Sequence, residues 1–273
     1  MMTKTYIITG STSGIGKALT EKLSKNNIVF AGYRDEKKCE KCGYNKNSNI
    51  IPFFIDMTDS ESVIHAGEFI KTQTEKADTL INAAGCVVAG AVEEIETDNL
   101  RKQFEVNTFS HLEFTRQLLP ILQGGKIINI SSMASFGIFP FVAPYCASKR
   151  ALDILFNCMQ VEYGNNIKYI SIKPGVIATP LWGKSIESNI DLLSDNEKYK
   201  KEYDYLIKNA KNNEKTGLDV KKVVKTILKA DRAKNPKASY LVGADAFAAS
   251  IFSHLPQEII TKVLQFGIKL KIK

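Results

Sequence analysis

Tyr145 and Lys149 stand four residues apart in the run Tyr145-Cys146-Ala147-Ser148-Lys149. On a helix that spacing puts both side chains on one face. A phenol with a reference pKa near ~10 is a poor base at neutral pH. A nearby ammonium favours the phenolate and lowers that pKa. The pair can therefore serve as a proton-transfer couple, although the same spacing also occurs in ordinary amphipathic surface pairs. Thirteen residues before Tyr145 lies Ser132, the second of two consecutive serines. It could hydrogen-bond a substrate oxygen, or the two could be plain turn serines.

Two further motifs concern binding. Thr9-Gly10-Ser11-Thr12-Ser13-Gly14-Ile15-Gly16 follows a short apolar run and opens an amphipathic one. Glycines there permit a tight turn and let the backbone approach a pyrophosphate. The helix N-terminus then offers free N–H groups and a positive dipole end. Glycine-rich turns also merely end strands, so the strand–turn–helix context carries the reading. Asn82-Ala83-Ala84-Gly85 closes another apolar run. Its small residues leave space for a flat ligand, or make a tight strand-to-loop turn.

The elements that must position these motifs alternate along the chain. Strands are expected at Thr5–Thr9, Ile28–Tyr33, Ile50–Ile55, Thr79–Asn82, Lys126–Ser131, Lys168–Lys173 and Ser239–Val242. Helices are expected at Ile15–Lys25, Ser60–Lys76 with Ser60 as N-cap, Thr97–Leu122 as one or two pieces, Pro144–Tyr163 and Leu218–Lys229. Such alternation predicts βαβ units in an α/β, Rossmann-type doubly wound fold: a seven-stranded, mostly parallel sheet with helices on both faces. Ligands then bind at the carboxyl ends of the strands. No linker or repeat divides the chain, so one domain over 1–273 is expected, with a C-terminal extension at 244–273 on a helical period. The polar stretch Ala178–Thr216 reads as irregular.

Composition excludes several classes. The 273 residues are 44% hydrophobic and 24% charged, an ordinary globular balance. No run approaches the ~18 apolar residues of a membrane span, and none resembles a signal peptide, so a cytoplasmic protein is expected. The net charge of +8 comes from scattered lysines rather than an aromatic-interleaved basic patch, which argues against nucleic-acid binding. Cys39 and Cys42 form a lone Cys-x-x-Cys without a second ligand pair, and the three histidines are far apart, so no metal site is expected. The alternation of Ile268, Leu270 and Ile272 with Lys269, Lys271 and Lys273 could touch an anionic surface, or pack on the protein itself.

Taken together and in this order, the motifs resemble the short-chain dehydrogenase/reductase family in its compact single-domain branch, over about residues 3–245. The glycine turn through Gly10, Gly14, Ile15 and Gly16 matches that family's cofactor turn. Asp56 and Met57 follow strand three, where the family places the adenine. Asn82-Ala83-Ala84-Gly85 matches its Asn-Asn-Ala-Gly motif, with Ala83 in place of the second Asn. Asn107 matches the family's helix asparagine. Ser132, Tyr145 and Lys149 match its remaining catalytic positions. Pro174-Gly175, with Ile177 and Thr179, matches the turn that contacts nicotinamide. More loosely, Tyr145-Cys-Ala-Ser-Lys149 and Tyr240-Leu-Val-Gly-Ala-Asp245 look like reductases of steroids, retinoids and similar lipophilic carbonyls.

The resemblance implies reversible hydride transfer between a nicotinamide and a carbonyl carbon. Tyr145 would exchange the proton at oxygen. Lys149 would lower the Tyr145 pKa and hold the ribose, Ser132 would bond the substrate oxygen, and Asn107 would position a relay water. Strand two places Tyr33 where an NAD enzyme carries Asp or Glu, and Arg34 follows, suited to a 2′-phosphate. Ser11 and Thr12 could add hydroxyl donors. NADP(H) is therefore the expected cofactor. NAD(H) is the alternative if Asp35 takes the ribose role. Phe136, Phe139, Phe141, Leu181 and Trp182 lie in the segments that close the pocket in this family, which suits a lipophilic small-molecule carbonyl or alcohol. The resemblance also implies a homodimer through the Thr97–Leu122 and Pro144–Tyr163 helices, with a tetramer as a further option. A catalytically silent nucleotide-binding protein on the same fold is the competing reading.

Overall fold

The computed structural model describes residues 3–164, 166–189, 193 and 197–272, with side chains to Ile268. The lysine-alternating tail from Lys269 onward therefore lies outside the described side chains. Seven strands form one sheet: β1 Thr5–Ile8, β2 Ile28–Tyr33, β3 Ile50–Phe54, β4 Thr79–Asn82, β5 Lys126–Ile130, β6 Lys168–Pro174 and β7 Ser239–Val242. Their order is β3-β2-β1-β4-β5-β6-β7, and every neighbouring pair is parallel. The expected doubly wound sheet is thus present, and wholly parallel.

The helices among the described residues are α1 Gly14–Leu23, α2 Glu36–Cys42, α3 Ser60–Gln73, α4 Thr97–Phe104, α5 Ser110–Leu118, α6 Ala143–Tyr163, α7 Leu181–Ser188, α8 Lys200–Thr216, α9 Val220–Arg232, α10 Ala244–Phe252 and α11 Gln257–Ile272. A parallel sheet buries both faces, so its strands are apolar on both sides. Ile7, Phe30, Leu80 and Ile127 face one layer with Val63, Phe114 and Leu152. Ile8, Val29, Ile81 and Ile128 face the other with Leu19, Val223 and Ile227. The two-residue alternation along each strand assigns these sets.

Below β1 and β4, a buried polar knot ties α9 to the sheet. Asp231 accepts hydrogen bonds from Tyr6 Oη at 2.8 Å and Thr79 Oγ1 at 2.7 Å, and Lys4 Nζ lies 3.1 Å away. Burial, with the Asp231 charge, pushes the Tyr6 phenol well above its usual range.

Two expectations need correction. The N-cap of α3 is Asp59, not Ser60: Asp59 accepts from the Glu61 amide at 3.0 Å. The stretch Ala178–Thr216 is not irregular where described, since it holds α7 and the 17-residue α8. Tyr203 and Ala210 fasten α8, and a helix with so few apolar positions reads as polar from its composition. Of the two options left open for Thr97–Leu122, the structure has two helices, separated by a π-helical turn, Glu105–Phe109.

Candidate active site

The chain runs outward from β1 to β2 and β3, then returns to place β4 on the other side of β1. The two loops leaving β1 and β4 therefore diverge, and they open a crevice at the carboxyl ends of the strands. The glycine turn and the Asn82–Gly85 turn are those two loops.

Thr9 binds them together. Its Oγ1 accepts from the amides of Ala83 at 3.0 Å and Ala84 at 3.1 Å. Gly10 has φ +66°, and a Cβ there would lie 2.8 Å from the Ala84 backbone; a Cβ on Gly16 would collide with the Gly10 carbonyl. Only glycine fits either place. Ser13, the N-cap of α1, makes no side-chain cap. The first amides of α1 thus meet the crevice without a side-chain acceptor, which suits a pyrophosphate. Thr179 lies across this turn, its methyl 3.5 Å from the place of a Gly14 Cβ. These features fit a dinucleotide.

Several expected contact residues also bond within the protein. Ser11 is buried, and its hydroxyl donates to the Gly32 carbonyl at 2.8 Å. It braces the turn against β2 instead of offering a donor to a phosphate, and Tyr44 Oη bonds its carbonyl from beneath. Asn82 turns its amide into the sheet, donating to Asn129 Oδ1 at 2.8 Å. Asp56 accepts from Thr58 in a local turn, with an Arg34 guanidinium nitrogen 4.0 Å away, and Met57 is buried behind it. The Ile177 carbonyl accepts from the Trp182 indole at 2.9 Å, which ties α7 to the Pro174-Gly175 turn.

Strand β2 ends at Tyr33, and Arg34 is exposed directly after it. Asp35 is already engaged. It caps α2 by accepting from the Lys38 amide at 3.1 Å and pairs with Lys38 Nζ at 2.8 Å, which holds its carboxyl below the usual range. Lys184 on α7 reaches the same place. Its pKa is lowered by burial and by the nearby charges of Lys38 and Arg34. Lys184 therefore feels the same positive charges that follow β2, a relationship not legible from sequence.

On the other side of the crevice, α6 presents Tyr145 and Lys149. Lys149 is buried and donates from Nζ to the Ile130 carbonyl at 2.8 Å, so α6 is pinned to the end of β5. Its Nζ lies 6.0 Å from the centre of the Tyr145 ring. Ser132, at the end of β5, shares a hydrogen bond with the Tyr145 hydroxyl and also accepts from the Ala134 amide at 3.1 Å. The serine, tyrosine and lysine are therefore one cluster. Burial lowers the Lys149 ammonium to about 8, partly offset by Asp153 and Cys86. Burial pushes the Tyr145 phenol up to about 12, opposed by the Ser132 hydrogen bond. The expectation that Lys149 lowers the Tyr145 pKa is thus not met by the chain's own groups: burial raises it, and the group that opposes burial is Ser132.

Asn107 sits in the π turn, where the wider backbone brings it against α6 and Cys86. Its Oδ1 accepts from the Cys86 amide at 2.9 Å, and its amide donates to the Cys86 carbonyl at 3.0 Å and to Ser148 Oγ at 3.1 Å. The side chain is therefore engaged with protein. A Cβ on Gly85 would stand 3.4 Å from Asn107 and 3.6 Å from Lys149 Nζ. The glycine keeps that approach open.

The apolar set expected to close the pocket is divided. Phe136 lies 4.2 Å from Lys173 Nζ. Phe141, at φ +65°, packs between Tyr199 and Tyr203, both 5.9 Å away, and locks α8 to the loop after the serine. The closing stretch Ala178–Ser194 is described to Asn189 and at Leu193 only. Asp245 was also missed. It accepts from the Val176 amide at 2.7 Å, and a Cβ on Gly175 would overlap its carboxylate. No group of three metal-ligating side chains occurs among the described residues.

A family model described as short chain dehydrogenase matches residues 4–189. The chain is 31% identical to an NADPH-dependent 3-dehydrocapnine reductase of Ornithobacterium rhinotracheale, over 96% of each chain. It is 29% identical to a 3-ketodihydrosphingosine reductase of Bacteroides thetaiotaomicron, over 97% of this chain and 98% of that one. A solved short chain dehydrogenase from Burkholderia cenocepacia, in complex with NADP, superposes with a TM-score of 0.74 at 24% identity, covering 96% and 97% of the two chains.

Proposed function

The chain belongs to the short-chain dehydrogenase/reductase family, and from that premise we propose that it reduces, with NADPH, a ketone on a long lipophilic substrate. As a member of that family it is an NAD(P)-dependent oxidoreductase that interconverts a carbonyl and an alcohol. The observation that carries the reading is the Ser132–Tyr145–Lys149 cluster at the end of β5, facing the glycine crevice. Nothing in the site favours a silent nucleotide-binding role. One catalytic domain over 1–273 is the organisation we assign to it.

When bound, the nicotinamide cofactor supplies the hydride. The glycine turn and the open N-terminus of α1 would hold its pyrophosphate, and Thr179 would cover it. Lys149 would hold the nicotinamide ribose. Tyr145 keeps its proton at neutral pH, because burial holds its pKa near about 12, and donates that proton to the carbonyl oxygen. Ser132 donates a hydrogen bond to the same oxygen as negative charge grows there.

The preference for NADPH is supported by the cations at the end of β2. Arg34, Lys38 and Lys184 converge where a 2′-phosphate would lie, and Asp35 is engaged as a helix cap. The NADPH dependence named for the 31%-identical relative agrees. The substrate class is supported by two relatives that match nearly the whole chain. Both are named for a carbonyl at position 3, and dihydrosphingosine is a long-chain amino alcohol. The five free cysteines fit a reducing, cytoplasmic compartment.

A dimer is supported by the exposed apolar side chains Phe109, Ile154 and Val161 on or beside α5 and α6. Light scattering at micromolar concentration should give at least twice the chain mass. The function is tested by following NADPH oxidation with long-chain 3-ketones, including 2-amino-3-keto bases, beside short polar ketones. Efficient turnover of the long-chain ketones is expected. Turnover restricted to short polar ketones would overturn the substrate class.

A further inference from the structure

Fourteen large hydrophobic side chains are exposed among the described residues, and six of them fall within twenty positions of the C-terminal helices. Phe247, Ile251 and Leu255 recur every four residues along and just beyond α10. Ile259, Val263 and Phe266 continue at steps of four and three along α11. Such spacing makes one stripe on each helix. Single exposed hydrophobes are ordinary, but a stripe on each of two consecutive helices marks a surface that meets something. The opposite sides of these helices are fastened to the body, with Ala246 and Ile260 buried.

The band borders the active site. Helix α10 packs on the turn Met133–Phe136, which begins at Ser132. Its first turn carries Asp245, which braces Pro174-Gly175. Helix α11 packs on α8, which Phe141 locks to the loop after the serine.

Charge distinguishes the occupant. Residues 197–273 hold 17 basic and 8 acidic side chains, while residues 1–196 hold 20 and 21. Seven of those 17 lie between Lys221 and Lys237, on or just after α9, which packs on α1; the sequence from Gln257 to Lys273 holds Lys262, Lys269, Lys271 and Lys273 against Glu258 alone. On α8, exposed Lys201, Lys208, Lys211 and Lys215 outnumber exposed Asp204 and Glu214, and on α11 exposed Lys262 lies with exposed Glu258. A second copy docked on this face would bring two lysine-rich surfaces together, which like-charge repulsion opposes. An anionic lipid surface offers apolar depth for the band and negative headgroups for its lysines. No helix among the described residues is long and apolar enough to cross a membrane, so the helices would lie in the interface.

We propose that α10 and α11 dock the protein on an anionic lipid surface, with the mouth of the active site at the membrane. A lipophilic ketone then passes from the bilayer to Ser132 and Tyr145 without crossing water. That consequence rests on the substrate reading above; the docking does not.

The test is flotation of the full chain with vesicles of equimolar phosphatidylcholine and phosphatidylglycerol, beside vesicles of phosphatidylcholine alone. Binding to the anionic vesicles is expected, weakened by salt and far lower on the neutral ones. The triple variant Phe247→Ser/Ile251→Ser/Phe266→Ser should bind at least tenfold less, with NADPH binding unchanged by fluorescence. Failure of the wild-type chain to float with anionic vesicles overturns the proposal. So does equal binding of the variant, or a variant whose only change is a smaller oligomer, which would make this face a contact between copies. Should the variant fail to bind NADPH, Phe266→Ser alone replaces it under the same criteria. Vesicle binding without turnover of long-chain ketones would leave the docking standing and refute the substrate class.

Discussion

Asp153 and Lys173 form a buried ion pair, Oδ2 to Nζ 2.7 Å, one helical turn beyond Lys149 on α6. Ser171 Oγ also donates to Asp153, at 2.7 Å, and Lys173 lies under the Phe136 ring. The pair joins β6 to α6, which carries Tyr145 and Lys149, and to the turn that Ser132 opens. Removing one partner leaves a buried charge unpaired, which costs about 3–5 kcal/mol. Asp153→Asn should therefore lower the urea midpoint strongly. Asp153→Leu with Lys173→Met should recover most of that stability. A single variant as stable as the wild type would contradict the role given to the pair.

Tyr145→Phe should keep the fold and bind NADPH, yet lose turnover by on the order of 10²-fold or more, as expected when a positioned acid is removed. Near-normal kcat on an established substrate would refute the assignment.

The pH profile should be set by Lys149 instead of Tyr145. Burial lowers Lys149 to about 8, whereas Tyr145 stays protonated until about 12. As pH rises through about 8 the ammonium is lost, so kcat/KM for ketone reduction should fall on that limb. Asp153 raises the Lys149 pKa, so Asp153→Asn should move the limb to lower pH. A flat profile to pH 10 would count against this.

Arg34→Ala and Lys184→Ala should each raise the KM for NADPH by on the order of tenfold, with little change for NADH. Arg34 follows from the sequence, but Lys184 tests the proposed cofactor pose, since from α7 it feels the charges of Arg34 and Lys38. A Lys184→Ala enzyme unchanged with both cofactors would remove α7 from the cofactor site.

His111 predicts the acid limb of stability. It is fully buried, and its Nε2–H faces the Ala84 carbonyl at 2.9 Å. Burial, helped by the Lys149 charge, lowers its pKa from 6.5 to about 3. The unfolded chain takes up a proton below 6.5 that the folded chain refuses until about 3. Its contribution is therefore complete above pH 6.5 and is lost as pH falls through that window, by about 1.4 kcal/mol per unit at most. Urea midpoints of His111→Gln should decline less steeply between pH 6 and 4 than those of the wild type.

The sequence by itself determined the seven strands, the main helices between them and the local motifs. The short apolar runs Thr5–Ile8 and Ile28–Tyr33, the glycines of residues 10–16 and the Tyr145/Lys149 spacing all act over a few residues, where residue type and backbone sterics are legible. Helix α8 had a legible signal as well, in Tyr203, Leu206, Ile207 and Ala210 at helical steps. Its lysines and asparagines masked that stripe in a composition-based reading.

Tertiary structure decided the rest, because it depends on partners far away in the chain. Ser11 looked like a free donor until β2 brought Gly32 to its hydroxyl. Asp35 competed for the ribose until Lys38 engaged it. Thr9 became the tie between two loops only when β4 came beside β1, 74 residues later. Lys184 joined Arg34 only through the path of α7. Desolvation, which moves Tyr145 up and Lys149 down, is a property of what surrounds a group. Residue types and spacing set which groups can ionise, but only packing sets how much water each one keeps.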